Sequence, residues 1–222
     1  KGEIKEYTNN GMKAVLTYKE KEYEFTTKLV GDYNLYNILG CMGMLLNLGF
    51  TIDEVISRIK NVDYVPGRFE LVDKGQDFRV IVDYAHTDNG LENILETVRK
   101  ITDNRVITIF GAGGDRDNAK RPKMAKAAAK YSDYLIATSD NPRTEDPEKI
   151  IRDVENGLKE INFPKEKYTV IINREEAIKF GVEMSKSKDS LLIAGKGHED
   201  YQILGREKIH FDDREMARKY LK

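Results

Sequence analysis

The sequence predicts an α/β fold, a mostly parallel sheet with helices on both faces, preceded by a smaller unit of different pattern. Three observations carry this. From Arg79 onward, short apolar runs alternate with amphipathic helical stripes. Those stripes open with capping residues. The polar, glycine-rich clusters stand directly after the apolar runs, where a parallel sheet gathers its ligand-binding loops.

The chain opens differently. Residues 2–8, 12–19 and 22–30 read as short strands with turns at Asn10-Gly11 and Glu20-Lys21-Glu22. Asn-Gly between two strands is a hairpin signal. Gly31 to Gly49 then reads as a buried helix. Thr51 to Lys60 reads as a second, with Ile52, Val55, Ile56 and Ile59 as its apolar face. Val65-Pro66-Gly67 breaks any element and marks a boundary, dividing the chain into 1–66 and 67–222.

Beyond it, Arg79–Asp83, Val106–Phe110, Tyr134–Thr138, Tyr168–Ile172 and Leu191–Ala194 are the predicted strands. Leu91, Ile94, Leu95, Val98 and Ile101 stripe one helix. Asp146-Pro147 caps another, striped by Ile150, Ile151, Val154, Leu158 and Ile161. Asn173 with Glu176 three residues on opens a third in a capping-box pattern. A hairpin-like stretch from Tyr201 to Phe211 precedes a last helix capped by Asp212. Repeated β-α units of this length form a parallel sheet covered by helices.

Composition narrows the function. Lysine and arginine number 37 against 38 acidic residues, a net charge of −1, which argues against nucleic acid or an acidic membrane surface as partner. The single cysteine, Cys41, has no internal disulfide partner and reads as a small core residue. Its apolar run is too short to span a bilayer, so a cytoplasmic protein is expected. Lys1 stands where an initiator methionine would be, so the sequence reads as a piece of a longer chain.

Four clusters follow strands: Asp83-Tyr84-Ala85-His86, Gly111 to Asp117, Ser139 to Arg143 and Gly195 to Asp200. Together they predict a polar rim around one crevice. The glycine loop GAGGDRD lacks the third glycine of a dinucleotide fingerprint and the Lys-Ser or Lys-Thr of a P-loop. Arg116 and Arg143 can grip carboxylates in bidentate fashion, Glu199 can hold an ammonium, and Asn141 offers donor and acceptor. That set suits a zwitterion better than a bare phosphate; the bland alternative is a surface ion-pair network. His86 and His198 suit a general base or a phosphate contact. Lys196, between two glycines, is placed to reach a phosphate or carboxylate. No histidine or cysteine lies at metal-ligand spacing from either histidine, so no metal site is expected. Asn34 and Asn37 share a helix face, and Arg68 follows the boundary.

The segments GDYNLYN, VPGRFE, VDYAHT, FGAGGDRD, DNPRTEDP and AGKGHEDYQ, in that order, resemble the Mur ligases, specifically the MurE type. The resemblance covers nearly the whole chain. It implies that 1–66 is the tail of a central P-loop ATPase domain and 67–222 a Rossmann-like amino-acid-binding domain. The P-loop and the magnesium ligands would then lie upstream. It implies ATP contacts at Asn34 or Asn37, Arg68 and Asp83. For meso-diaminopimelate it implies Arg116, Gly195, Glu199 and the motif Asp140, Asn141, Pro142 and Arg143. The implied activity is ATP-dependent amide ligation in peptidoglycan synthesis. Its partners are small molecules: ATP with Mg2+, a UDP-muramoyl dipeptide and diaminopimelate. The family usually has proline where this chain has Asp88, which would serve as a helix N-cap. Two other readings stay open: a sister ligase for another amino acid, and a non-catalytic binding fragment. The sheet topology alone also suggests a dinucleotide-dependent oxidoreductase, against which the glycine loop argues.

Overall fold

The computed structural model describes residues 1–8 and 11–222, which form two compact units, Lys1–Val65 and Pro66–Lys222. The expected Asn10-Gly11 turn lies partly outside the described residues.

In the first unit, β1 (Gly2–Thr8), β2 (Gly11–Tyr18) and β3 (Lys21–Thr27) form an antiparallel sheet in that order. Met12, Ala14 and Leu16 alternate along β2 and pack with Phe25 against α1 (Asp32–Asn47) and α2 (Ile52–Ile59). The period of two puts these side chains on one face. Lys19 and Glu20, both at positive φ, make the turn between β2 and β3, one residue earlier than expected. Thr51 and Glu54 close α2 with a reciprocal capping box. Cys41 is exposed, contrary to its expected core position. The helix is apolar around much of its circumference, and the unit covers the face bearing Leu35, Ile38 and Met42.

The second unit confirms the α/β class. Its sheet runs β4 (Glu70–Leu71), β5 (Arg79–Asp83), β9 (Ser190–Ala194), β6 (Val106–Ala112), β7 (Tyr134–Ser139), β8 (Tyr168–Val170), with β4 alone antiparallel. Val80, Val82, Ile107, Ile109, Leu191 and Ile193 face α6 (Arg174–Met184) and α7 (Asp213–Tyr220). The residues between them, Ile81 and Leu192 among others, are equally buried and point to the opposite face. There α3 (Asp88–Ile101), α4 (Lys120–Tyr131) and α5 (Pro147–Glu160) pack side by side. Each fully buried Ile or Leu contributes about 1.5–3 kcal/mol. Among the described residues no helix is long and apolar enough to cross a membrane.

Several expectations shift. α4 and the two-residue β4 have no counterpart in the sequence reading. α4 buries Met124, Ala125 and Ala128, a stripe too small to register as periodic hydrophobicity. It approaches α5 where Gly157 lies against Pro122, and a Cβ there would come 2.5 Å from the Pro122 carbonyl. β8 ends at Val170, although the Ile171 amide still donates to Ala137. Ile161 is exposed past the end of α5. Thr87, not Asp88, caps α3, accepting from the Gly90 amide at 3.1 Å; Asp88 is the first helical residue and favours the helix dipole there.

Arg121, at the start of α4, is fully buried. It donates to both Glu145 oxygens at 2.8 and 2.6 Å, to Asp153 at 2.8 Å and to the Gly113 carbonyl. Its guanidinium holds the Glu145 carboxyl down at about 2, against an ordinary 4.5. The folded value lies below the unfolded one. The resulting stabilisation is therefore complete above about pH 4.5 and lost as the pH falls towards 2. Glu145→Gln is expected to melt several degrees lower than the parent at neutral pH, the gap closing towards pH 2. Thermal melts showing the same gap at both pH values would contradict the pairing.

Candidate functional site

β9 is the last strand of the sheet in sequence but sits between β5 and β6. The loops after β5, β9, β6 and β7 therefore emerge side by side at the carboxyl edge, and a cavity of about 670 Å³ opens among them. Tyr84, His86, Gly113, Arg116, Asp140, Asn141, Arg143, Gly195 and Glu199 line it.

Backbone contacts set these loops. The Gly114 amide donates to the Asn141 carbonyl at 2.9 Å, and Arg143 Nη1 donates to the Gly114 carbonyl at 2.8 Å. Asp115 accepts from the Thr144 amide and hydroxyl. The glycine loop and the Asp140–Arg143 loop are thus laced into one body, with Arg121 and Glu145 beneath it. Arg143 is held at φ 52 by exchanging backbone hydrogen bonds with Ile203 and Gly205 in the hairpin of β10 (Tyr201–Leu204) and β11 (Glu207–His210). Gly195 takes φ 121, and a Cβ there would come 2.7 Å from Asp140 Oδ2, so this position accepts glycine alone.

Arg116 and Arg143 flank Gly113: a Cβ on it would be 3.1 Å from Arg143 Nη1 and 3.6 Å from Arg116 Cγ. Among the described residues neither guanidinium has an ion-pair partner, whereas Glu199 pairs with Lys196. Glu199, on another wall of the cavity, accepts from Lys196 Nζ at 2.9 Å, Asn141 Nδ2 at 3.1 Å and the Tyr201 hydroxyl at 3.3 Å. Burial pushes the Glu199 carboxyl up, but the Lys196 ammonium and the Asn141 and Tyr201 donors outweigh it, leaving the group below its ordinary range.

Beneath the cavity floor lies a residue that sequence reading missed. Arg174 is fully buried; it donates twice to Asp213 at 2.7 Å, to Ala194 O at 3.0 Å and to Ser139 O at 3.4 Å. As an arginine at the start of a charged helix it gives no sequence sign of burial. Asp140 sits above it. Burial drives the Asp140 carboxyl upward, and the charges of Arg174 and Lys196 oppose that without cancelling it.

The sequence-predicted amino-acid residues Arg116, Asp140, Asn141, Arg143, Gly195 and Glu199 all line the cavity. Pro142 is buried behind it, its carbonyl accepting from the Glu145 amide. Lys196 is less free than its flanking glycines suggest, for both turn it inward and its ammonium is engaged. His86 is exposed at the rim, with Nδ1 2.9 Å from the Tyr84 carbonyl. His198 is exposed, its ring 5.0 Å from Tyr84. The residues expected to contact ATP form no part of the cavity lining. Arg68 lies over the Tyr84 ring at 4.8 Å. Asp83 is buried and accepts from the Phe69 and Ala85 amides at 2.8 Å each. In the first unit, Asn34 is buried with its amide on the Val30 carbonyl, whereas Asn37 is exposed. Among the described residues no three His, Cys, Asp or Glu side chains gather as metal ligands.

The sequence profile described as "Mur ligase, glutamate ligase domain" matches residues 67–197. The chain belongs to the Mur ligase family. The UDP-N-acetylmuramoyl-L-alanyl-D-glutamate–2,6-diaminopimelate ligase of Fusobacterium nucleatum is 47% identical over 215 residues, 96% of this chain and 43% of that protein. The Geobacillus kaustophilus ligase of the same name is 50% identical over 197 residues, 88% of this chain and 40% of that protein. A solved ligase of that name superposes with a TM-score of 0.72 at 33% identity, covering 98% of this chain and 44% of the other. A UDP-N-acetylmuramate–alanine ligase from Thermotoga maritima shares the fold at 20% identity and a TM-score of 0.69, covering 99% of this chain and 44% of its own. This Mur ligase chain thus spans less than half the length of these relatives.

The buried Asp140 carboxyl makes a test of the site's electrostatics. Its folded value is raised, so its contribution to stability is full below the ordinary 3.8 and is lost as the pH rises through the folded value. Asp140→Asn keeps the shape and removes the charge. The variant is expected to melt above the parent at pH 8, the difference closing below about pH 4. Calorimetry finding no gain at pH 8 would count against a strained carboxylate.

Proposed function

We propose that this chain is the amino-acid-binding part of an ATP-dependent ligase that joins meso-diaminopimelate to UDP-N-acetylmuramoyl-L-alanyl-D-glutamate in peptidoglycan synthesis. The observation that carries the proposal is the pair of guanidiniums, Arg116 and Arg143, that stand beside Gly113 with no ion-pair partner among the described residues, in one cavity with the charged Glu199. Two guanidiniums suit carboxylates, and a carboxylate held ionised suits an ammonium. Diaminopimelate carries a zwitterionic head at each end; lysine lacks the distal carboxylate that an extra arginine would grip. The ligases this chain resembles are named for the same amino acid.

In this reading Arg116, Asp140, Asn141, Pro142, Arg143, Gly195 and Glu199 form the amino-acid site. Residues 1–66 are the tail of the ATPase domain, and Asn37, Asn34, Arg68 and Asp83 serve the nucleotide. Asn37 is the more open of the two asparagines. Asp83, already accepting two amides, keeps lone pairs for a ribose hydroxyl. ATP phosphorylates the free carboxylate of the UDP-linked dipeptide. The diaminopimelate amine, once deprotonated, attacks that acyl phosphate, and the tetrahedral adduct collapses to amide and inorganic phosphate. This unit's contribution is to hold the amine in place for attack, which replaces translational search by a fixed geometry. Among the described residues no set of side chains fits a magnesium ion, and in this reading its ligands belong to the upstream part of the enzyme. The reaction uses small cytoplasmic substrates, with neither nucleic acid nor membrane as a partner.

Ligation by the full-length parent enzyme tests this. Diaminopimelate, and not lysine, is expected to be used. Arg143→Ala is expected to raise KM for diaminopimelate about 100-fold while KM for ATP stays put. Equal use of lysine, or an indifferent variant, sinks the substrate assignment. The 222-residue chain by itself is expected to give no turnover, since its sequence contains no P-loop.

A further inference from the structure

Lys196 is, among the described residues, the one lysine fully removed from solvent. A buried ammonium is costly unless its hydrogens are met. Its partners are Glu199 Oε2 at 2.9 Å and Asn141 Oδ1 at 3.4 Å, with the Tyr201 ring 5.2 Å away. The backbone that carries it is equally constrained. Gly195 at φ 121 lies against Asp140, and Gly197 at φ 55 lies against Tyr84, where a Cβ would come 2.6 Å from the Tyr84 Cβ. The side chain between them is fully buried and is not part of the cavity lining.

This placement decides the orientation of two groups that do face the cavity. Asn141 Oδ1 accepts from Lys196 and from the Ile203 amide at 3.0 Å, so the amide cannot flip without setting its NH2 against an ammonium and an N–H. Nδ2 then points to Glu199 with one hydrogen, leaving the second for a ligand. Glu199 Oε2 is taken up by Lys196 and Asn141, while Oε1 accepts from the Tyr201 hydroxyl at 3.3 Å and keeps capacity for a further donor. One donor and one acceptor therefore stand next to each other, as a zwitterionic head requires.

We infer that Lys196 is a positioning residue for amino-acid recognition: it orients Asn141 as donor and Glu199 as acceptor towards the ligand and does not touch the ligand itself. The inference rests on the amino-acid-binding reading above. Without Lys196, Asn141 loses one of the two donors that fix its orientation, and Glu199 loses the cation that helps hold its carboxyl down.

The test uses the full-length enzyme with ATP, the UDP-linked dipeptide and diaminopimelate. Lys196→Met is expected to raise KM for diaminopimelate at least tenfold, with kcat and KM for ATP within about threefold of the parent. The acid limb of kcat/KM for diaminopimelate is expected to move to higher pH, a change that loss of packing alone does not produce. In a Glu199→Gln background the same substitution is expected to add clearly less than it does alone, because part of its effect runs through Glu199. An unmoved KM for diaminopimelate, a proportional decline of every parameter, or full additivity with Glu199→Gln overturns the inference. Should Lys196→Met not accumulate folded, Lys196→Gln keeps a donor and loses the charge. Its acid limb must then shift, and a limb that stays in place is equally fatal. Arg143→Ala and Glu199→Gln separate the two levels. If they raise KM for diaminopimelate and Lys196→Met does not, the positioning role alone falls. If neither raises it, the amino-acid reading falls and takes this inference with it.

Discussion

A guanidinium with no access to water needs a full set of acceptors, and Arg174 finds them where three segments meet. Its partners are the carbonyls that end β7 and β9 and the carboxylate of Asp213 at the start of α7. Removing that arginine would leave a buried aspartate and two strand-end carbonyls unmet, the costliest kind of vacancy in a protein interior. The two loops springing from those strand ends are the ones that carry Asp140, Asn141, Gly195 and Glu199. Their spacing is thus set from beneath, by an ion pair that never faces the cavity, and the C-terminal helix belongs to the site although it contributes no side chain to its wall.

The charges above that pair are arranged in layers. Arg174 is matched by Asp213, and Lys196 by Glu199, while Asp140 sits over both cations without a dedicated partner. On the opposite side Arg116 and Arg143 have no carboxylate partner among the described residues. A site with satisfied charges below and unsatisfied ones above is preorganised: the groups that must meet a ligand do not reorganise to do so. The same arrangement leaves the site less stable than a neutral replacement would be, a familiar tension between stability and function.

How much of this was legible beforehand follows from which forces write themselves locally. The strands of the second unit are continuous apolar runs because both faces are covered, and the clusters after them stand out by contrast. The lining residues Arg116, Asn141, Arg143 and Glu199 could therefore be picked by position alone. α4 could not, since its interior is built from alanines that pack closely without a strong apolar signal. Arg121, Arg174 and Asp213 were invisible for another reason. Charged residues in helices ordinarily mark solvated faces, and their burial here follows from partners 24 to 39 residues away in sequence. Cys41 erred in the opposite direction, because an apolar segment says that some face is covered without saying which.

The outermost strands of the second sheet are also its shortest. β4 contributes two residues and β8 three, while the long, strongly apolar strands are enclosed between them. An edge of two or three residues offers too few unpaired amides and carbonyls to template another chain. A sheet this rich in valine and isoleucine would otherwise be prone to zipper onto its copies. Its brevity at both margins acts as an insulator, keeping backbone hydrogen bonding an internal affair while the carboxyl edge alone stays open for chemistry.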